Sequence, residues 1–291
     1  MSEHFLPIPM FTVPYPDESC YSILCRSRVH AAMSTYRFCL ELFGRQRNLY
    51  CFHWRPFTPD ELCRWFENPE SRIASLVQKH SCMPYRFPFV QERCQQDMVS
   101  WNCGVKLSGG AYKRLARGLG YNFWTKEHLY YCPMCVEDDR TTYGETYWHI
   151  IPQLPGVVVC PIHKIPLKNS NLSLSCTGYD LCPAEHWIQD KDSTKPEMSE
   201  GEIQFALASR WLMENGWGFT VNRFKMKEQL EQLTEKTLTN LVEETVSFHP
   251  HRSAIFTETT FYILLADVVG MSISDLLYEI NVSAEAKIID Y

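Results

Sequence analysis

No stretch of this 291-residue chain is both long and apolar enough to cross a bilayer. The longest candidate, Phe261 to Met271, is far too short and contains Asp267. Met1-Ser2-Glu3-His4 carries no basic run, and the apolar residues that follow are broken by Pro7, Pro9, Pro14 and Pro16, so no secretory leader is expected. Catalytic signatures are missing as well. The sequence has no phosphate-binding G-x-x-x-x-G-K-[ST] loop and no G-x-S-x-G nucleophile elbow. It also has no H-x-E, which a nucleobase deaminase would place upstream of its P-C-x-x-C. Paired cysteines in a disulfide pattern are absent too: thirteen cysteines, an odd number, are scattered through helical patterns, which points to reduced thiols in a cytosol.

Basic charge is in short supply overall, with a net charge of −6, and that balance argues against a nucleic-acid partner until the chain is divided. Residues 1–126 carry 16 Lys/Arg against 10 Asp/Glu, whereas residues 127–291 carry 12 against 24. A basic first half is the footprint of a surface facing phosphates, and the acidic second half suits a protein partner or solubility. An apolar fraction of 45% with 13% aromatics gives enough material for two or three packed units.

The feature that organises the chain is a pair of short turns. Cys132-Pro133-Met134-Cys135 is followed, after twenty-four residues, by Cys160-Pro161-Ile162-His163. Three thiolates and an imidazole fill the tetrahedral shell of a structural Zn2+ ion and leave no position for a catalytic water. A C-x-x-C redox couple is the competing reading; it accounts for Cys132 and Cys135 and leaves the matched Cys160/His163 turn without a role. Between the pairs, Tyr143-Gly144-Glu145 through Tyr147-Trp148-His149 to Val157-Val158-Val159 alternates turn residues with β-branched and aromatic ones. That pattern predicts a small zinc ribbon with short strands.

The remainder predicts helices. A helix from Glu18 presents Tyr21, Leu24, Cys25 and Val29, and a second, capped by Ser34 and stopped by Gly44, presents Tyr36, Cys39, Leu40 and Phe43. Two such helices suggest a helix-turn-helix. Arg26, Arg28, Arg37, Arg45 and Arg47 decorate it, and Lys113, Arg114 and Arg117 form a further basic cluster before the zinc turns; these eight are the candidate DNA contacts. Thr58-Pro59-Asp60-Glu61 reads as a capping box, Ile73 to His80 as a helix, and Gln91 to Trp101 as another. His80 to Phe89 is too proline-rich for a helix and is expected to pack across the N-terminal unit. After a Lys191–Pro196 linker, helices are expected over Ile203–Trp211 and Phe224–Val242. Leu265 to Ile280 has helix-turn-helix spacing, but Asp275 and Glu279 on its second helix favour a packing unit over a DNA reader. The expected fold is therefore mainly α with a small zinc-ribbon β element: residues 1–103 a helix-turn-helix-like region, 104–190 a zinc-finger domain, 191–291 a C-terminal helical region.

Several of these motifs occur in one order: Pro14-Tyr15-Pro16-Asp17-Glu18-Ser19, His80-Ser81-x-x-Pro84, Tyr131-Cys132-Pro133-x-Cys135, Tyr143-Gly144-Glu145-x-Tyr147-Trp148, Leu154-Pro155-Gly156 and Cys160-Pro161-x-His163. Together they resemble the TniQ/TnsD family of transposon target-site selection proteins. The resemblance implies a non-enzymatic bridging role in bacterial DNA transposition. The partners it implies are an AAA+ ATPase transposition regulator together with target DNA, an RNA-guided CRISPR effector complex, or both. It implies a cytoplasmic, nucleoid-associated location and carries over Cys132, Cys135, Cys160 and His163 as zinc ligands. Members of the family often carry a second zinc knuckle; Cys176, Cys182 and His186 would be its remnant with one ligand missing, so a second zinc is not expected. A homodimer is compatible with such helical units. Two other classes stay open on the residues alone: a zinc-containing transcription regulator, and a metal-dependent nuclease or transposase drawing on the acidic second half.

Overall fold

Ser19 ends an extended arm and starts the first helix: its hydroxyl accepts from the Ser22 N–H, satisfying one of the amide donors that a helix start leaves open. In the computed structural model, which describes residues 12–46, 48–49, 69–102, 105, 107–111, 126–188, 198–247 and 254–281, this helix, α1, runs over Cys20–His30. Every residue from Cys20 to Ser27 is buried, since Ile23 and Leu24 alternate with cysteines and serines small enough to let neighbours close in from all sides. α2, Thr35–Phe43, is capped by Ser34 and ends at Gly44, whose φ of 69° carries no Cβ penalty. The two short helices predicted at the N-terminus are thus both present. The capping box at Thr58–Glu61 and the Lys191–Pro196 linker fall outside the described residues.

α3 covers Pro69–His80, close to its expected end. The segment after it departs from expectation. Instead of lacking helix, it forms one α-turn, α4 (Met83–Arg86), and a 3-10 turn over Phe87–Phe89. Pro84 and Pro88 each sit in the first turn of their element, where the missing N–H would have had no partner within the helix. α5 follows over Glu92–Asn102.

Two strands make the whole of the sheet among the described residues. β1, His128–Tyr131, pairs antiparallel with a strand at 168–173, with Tyr131 opposite Lys168 and an irregularity between His128 and Tyr130. Cys132 follows β1 directly and starts α6, Pro133–Tyr143, which Gly144 ends at φ 82°. β2 is Lys168–Ser173 and is followed by the single turn α7, Ala184–Trp187. The strands expected between the two ligand pairs are therefore not where the alternation placed them. The strand pair flanks the ligand span, and inside it lie α6, a 3-10 turn at Ile151–Gln153 and an isolated bridge between Val159 and Pro166. Pro133, with φ preset for the first helical position, converts the Cys132 turn into a helix start.

The C-terminal part is helical: α8 (Glu200–Asn215), α9 (Arg223–Glu231), α10 (Glu235–Ser247), α11 (Ala254–Val268) and α12 (Ile273–Ile280). Ser199 and Glu202 close a reciprocal capping box on α8. Gly270, at φ 70°, and the Ser272 cap turn the chain by 104° between α11 and α12. Among the described residues, no single helix is long and apolar enough to cross a membrane.

Two apolar cores result, each drawing on more than one of the three sequence segments. The first joins α1, α2 and α3 to Leu129, Val136, Trp148 and Leu172. The second joins Ile150, Leu154, Val157 and Val159 to α8, α11 and α12. The turn at 83–89 serves both: Met83 and Phe87 enter the first core, Tyr85 and Phe89 the second. At about 25 cal/mol per Å2 of apolar surface, burying such side chains contributes about 1.5–3 kcal/mol each, so this segment is a principal brace between the cores.

Candidate metal centre

Cys132 caps α6 and Cys135 lies in its first turn, so one helix start aims two sulfurs at the same point. The second pair is set by a tight turn in which Lys164 N–H donates to Cys160 O and Cys160 N–H to Ile165 O, with Lys164 in the left-handed region at φ 53°. The His163 N–H points at Cys160 Sγ at 3.4 Å. β1 and β2 hold the two turns together at the base, and Ile165 and Leu167 cover the sulfurs.

The four ligand atoms lie within 4.8 Å of one another. Cys135 and Cys160 sulfurs are 3.7 Å apart, and His163 Nδ1 is 3.5, 3.4 and 3.7 Å from the sulfurs of Cys132, Cys135 and Cys160. A tetrahedral ion with thiolate bonds of about 2.3 Å and an imidazole bond of about 2.0–2.1 Å requires edges of roughly 3.8 and 3.6 Å. The donor set therefore has the spacing of a closed four-coordinate metal site. The protonation of the three thiols is interdependent: hydrogen bonds from the thiols of Cys132 and Cys135 pull Cys160 down, and donation to Cys132 and Cys160 drives Cys135 up. Three sulfurs this close share protons unless a cation takes up their charge.

His163 turns its other nitrogen, Nε2, to Asp138 Oδ2 at 2.9 Å. Nδ1 faces the sulfurs, so Nε2 carries the proton and donates it to the carboxylate, the outer contact that fixes an imidazole ligand. Asp138 lies three residues after Cys135 on α6, one turn along the same face, and sequence reasoning missed it; the i, i+3 spacing from a ligand at a helix start was the available signal.

A second buried polar cluster ties α1 to this unit. Glu18 pairs with His149 as an isolated antiparallel bridge, and Ile150 N–H donates to Asp17 O at 2.8 Å. His149 Nε2 lies 2.9 Å from Asp139 Oδ2 and its Nδ1 3.6 Å from Asp17 Oδ2. Burial pulls this imidazole down, but hydrogen bonds to Asp139 and Asp17 outweigh it and raise the group to about 10, so it is a cation at neutral pH. Lys126 donates to Pro152 O and Val157 O at 2.6 and 2.5 Å, bracing the loop between the ligand pairs, and burial lowers its amine to about 7.

The candidate DNA contacts fall into three groups. Arg26 was read as a surface cation; it is only 3% exposed, with Nη1 2.7 Å from Glu18 Oε2 and Nε 2.9 Å from Glu145 Oε1. Its charge is consumed inside the fold because α1 is buried on all sides. Arg28 is partly buried and donates to Met33 O, while Arg37 and Arg45 on and after α2 are exposed, Arg37 pairing with Glu41 one turn on. Arg47, Lys113, Arg114 and Arg117 lie outside the described residues. Among the described residues, Cys132, Cys135, Cys160 and His163 are the one group of such side chains close enough to share an ion, and Cys176, Cys182 and His186 form no second one.

The architecture and this centre define a mainly helical protein built around a Cys3His cluster that can hold a metal ion. The chain belongs to the TniQ family: the family's model matches residues 9–167, more than half of the sequence and a span containing all four ligands. It is a family of transposition-associated target selection. No curated protein matches the chain.

Proposed function

We propose that this protein is a non-enzymatic adaptor in DNA transposition. It engages target DNA, or an RNA-guided CRISPR effector complex already on that DNA, and recruits an AAA+ ATPase transposition regulator. Its Cys3His cluster holds one Zn2+ ion with a purely structural role, because four protein ligands leave no place for substrate. It works in the bacterial cytoplasm, at the nucleoid. The observation that carries the reading is the family match over residues 9–167 with the complete ligand set inside it. Support comes from the exposure of Arg37 and Arg45 in the α2 region, cations of the kind that attract phosphates.

The test is a bead assay with the tagged, metal-loaded chain, the purified ATPase and duplex target DNA, with and without the guide complex. Retention of the ATPase that needs both the chain and DNA is the expected outcome, and the double variant R37E/R45E should reduce it at least tenfold. ATPase retention without the chain would overturn the recruitment role. Nicking or strand transfer by the chain alone with Mg2+ would overturn the non-enzymatic one.

A further inference from the structure

A cleft of about 1050 Å3 is lined by α6, by α3 and α8, and by the arm at 12–17. Its size is at the top of the range for small-molecule pockets and suits a short peptide. α6 presents a single helical face to it: Cys135, Asp138, Asp139, Thr142 and Tyr143, spaced by three and four residues. Val13 and Ile162, 80% and 57% exposed, line it as well and supply apolar surface, with Leu76, Ile151 and Met213 buried behind. Tyr15, Tyr143 and Tyr147 make its aromatic wall, with Tyr15 stacked on Tyr143 at 4.2 Å and 5.2 Å from Tyr147.

The wall already holds one guanidinium. Arg26 lies 3.5 Å from the centre of the Tyr15 ring and is ringed by Glu18 and Glu145. Tyr143 continues this pile, and 37% of it remains exposed. A cation laid on the exposed part of Tyr143 would repeat the arrangement that Arg26 makes on Tyr15. The charges lining the cleft favour the same sign. Asp17, Asp138, Asp139 and Glu214 contribute four carboxylates against Lys79, Arg210 and the imidazolium of His149. Asp17 and Asp139 share His149, and Arg210 is engaged by Glu214 on its own helix. Asp138 has 68% of its side chain in solvent and one oxygen committed to His163. With four carboxylates against three cations the lining is net negative, which disfavours a phosphate backbone.

We infer that this cleft is a docking site for a protein partner's peptide segment in which an arginine or lysine stands beside an apolar anchor, the cation lying on Tyr143 and the anchor against Val13 and Ile162. The inference goes beyond the adaptor role and does not depend on which machinery supplies the segment.

The experiment is selection of a phage-displayed random dodecapeptide library on the metal-loaded full chain, with Tyr143→Ala as the counter-target. Tyr143 is a surface side chain, and circular dichroism with metal analysis checks that the variant keeps its fold. The expected result is enrichment of sequences with arginine or lysine within three positions of an apolar residue. A fluorescein-labelled copy of the leading sequence should lose at least tenfold in affinity for Tyr143→Ala and none for Tyr278→Ala on the remote helix α12. Enrichment of acidic or uncharged sequences, no enrichment over the counter-target, equal affinity for both chains, or displacement of the peptide by a 20-nucleotide single strand would each overturn it.

Discussion

Arg26 and Glu145, 119 positions apart in the chain, meet at 2.9 Å, and the same guanidinium reaches Glu18 at 2.7 Å. This contact binds α1 to the end of α6, and with it the N-terminal helices to the metal-binding unit. Glu18 is wholly buried, and burial, against the pull of Arg26, raises its carboxyl to about 7. Removing Arg26 leaves Glu18 with no cation; a carboxyl already raised to about 7 then takes up a proton, and the loss is that of the charge-assisted hydrogen bonds, about 1.5–3 kcal/mol. Arg26→Ala is therefore expected to lower the urea midpoint, while Arg37→Ala, whose own side chain is 70% exposed, should change stability by less than about 0.5 kcal/mol. Equal midpoints for Arg26→Ala and the parent would show that the pair does not hold the units together.

His149 makes a pH-dependent contribution whose sign follows from its raised value. The folded state keeps the proton up to about 10, whereas the unfolded imidazole releases it near 6.5, so the stabilisation is complete below 6.5 and is lost as pH rises to 10. Lys126 has the opposite sign over an overlapping window, because its amine is lowered to about 7. The clean measurement is therefore the difference in unfolding free energy between the parent and His149→Gln. That difference is expected to be on the order of a few kcal/mol at pH 6 and to shrink steadily toward pH 10. A pH-independent difference would mean that Asp17 and Asp139 do not hold a charged imidazole.

Metal removal should take the centre apart. A structural four-ligand site contributes its binding energy to folding, on the order of 10 kcal/mol. Cys160→Ser, or a strong chelator on the parent, is expected to abolish the cooperative unfolding transition of the metal-binding unit. Asp138→Ala should act more gently, weakening metal retention by about 10–100-fold through loss of the hydrogen bond that orients His163, with the fold intact at saturating metal. Competition with a chromophoric chelator reads both. Unchanged retention in Asp138→Ala would assign that carboxylate to the surface alone.

The four ligands were legible because a C-x-x-C and a C-x-x-H turn are local chemistry: their spacing alone decides that the donors can converge. The helix capped by Ser34 was legible for the same reason, since a cap is read within three residues. What escaped was the outcome of long-range competition. The alternation from Tyr143 to Val159 looks like strands, yet those side chains are buried by α1 and α8 on opposite sides, which produces an in-and-out pattern without a ladder. Arg26 looked like a DNA contact because nothing near it in sequence reveals Glu145. The brace at 83–89 was hidden by its prolines, which break helices in their interior and start them at their first turn.

That brace carries the last prediction. Gly216, just past the end of α8, lies so close to α4 that a Cβ placed on it would be 2.1 Å from the carbonyl oxygen of Pro84 and 3.1 Å from its carbon. The obstacle is backbone, so it cannot swing aside as a side-chain tip would; either α8 or the turn bearing Tyr85 and Phe89 must move out of the second core. Gly216→Ala is expected to cost about 1–3 kcal/mol or more. Gly218, two residues on, has nothing within 4 Å of its added Cβ, and Gly218→Ala should be close to neutral. Because α4 faces both cores, the strain of Gly216→Ala should also reach the first, lowering the hydrogen-exchange protection of amides in α1 along with those of α8. Loss of protection confined to α8 would show that the two cores are not coupled through this turn.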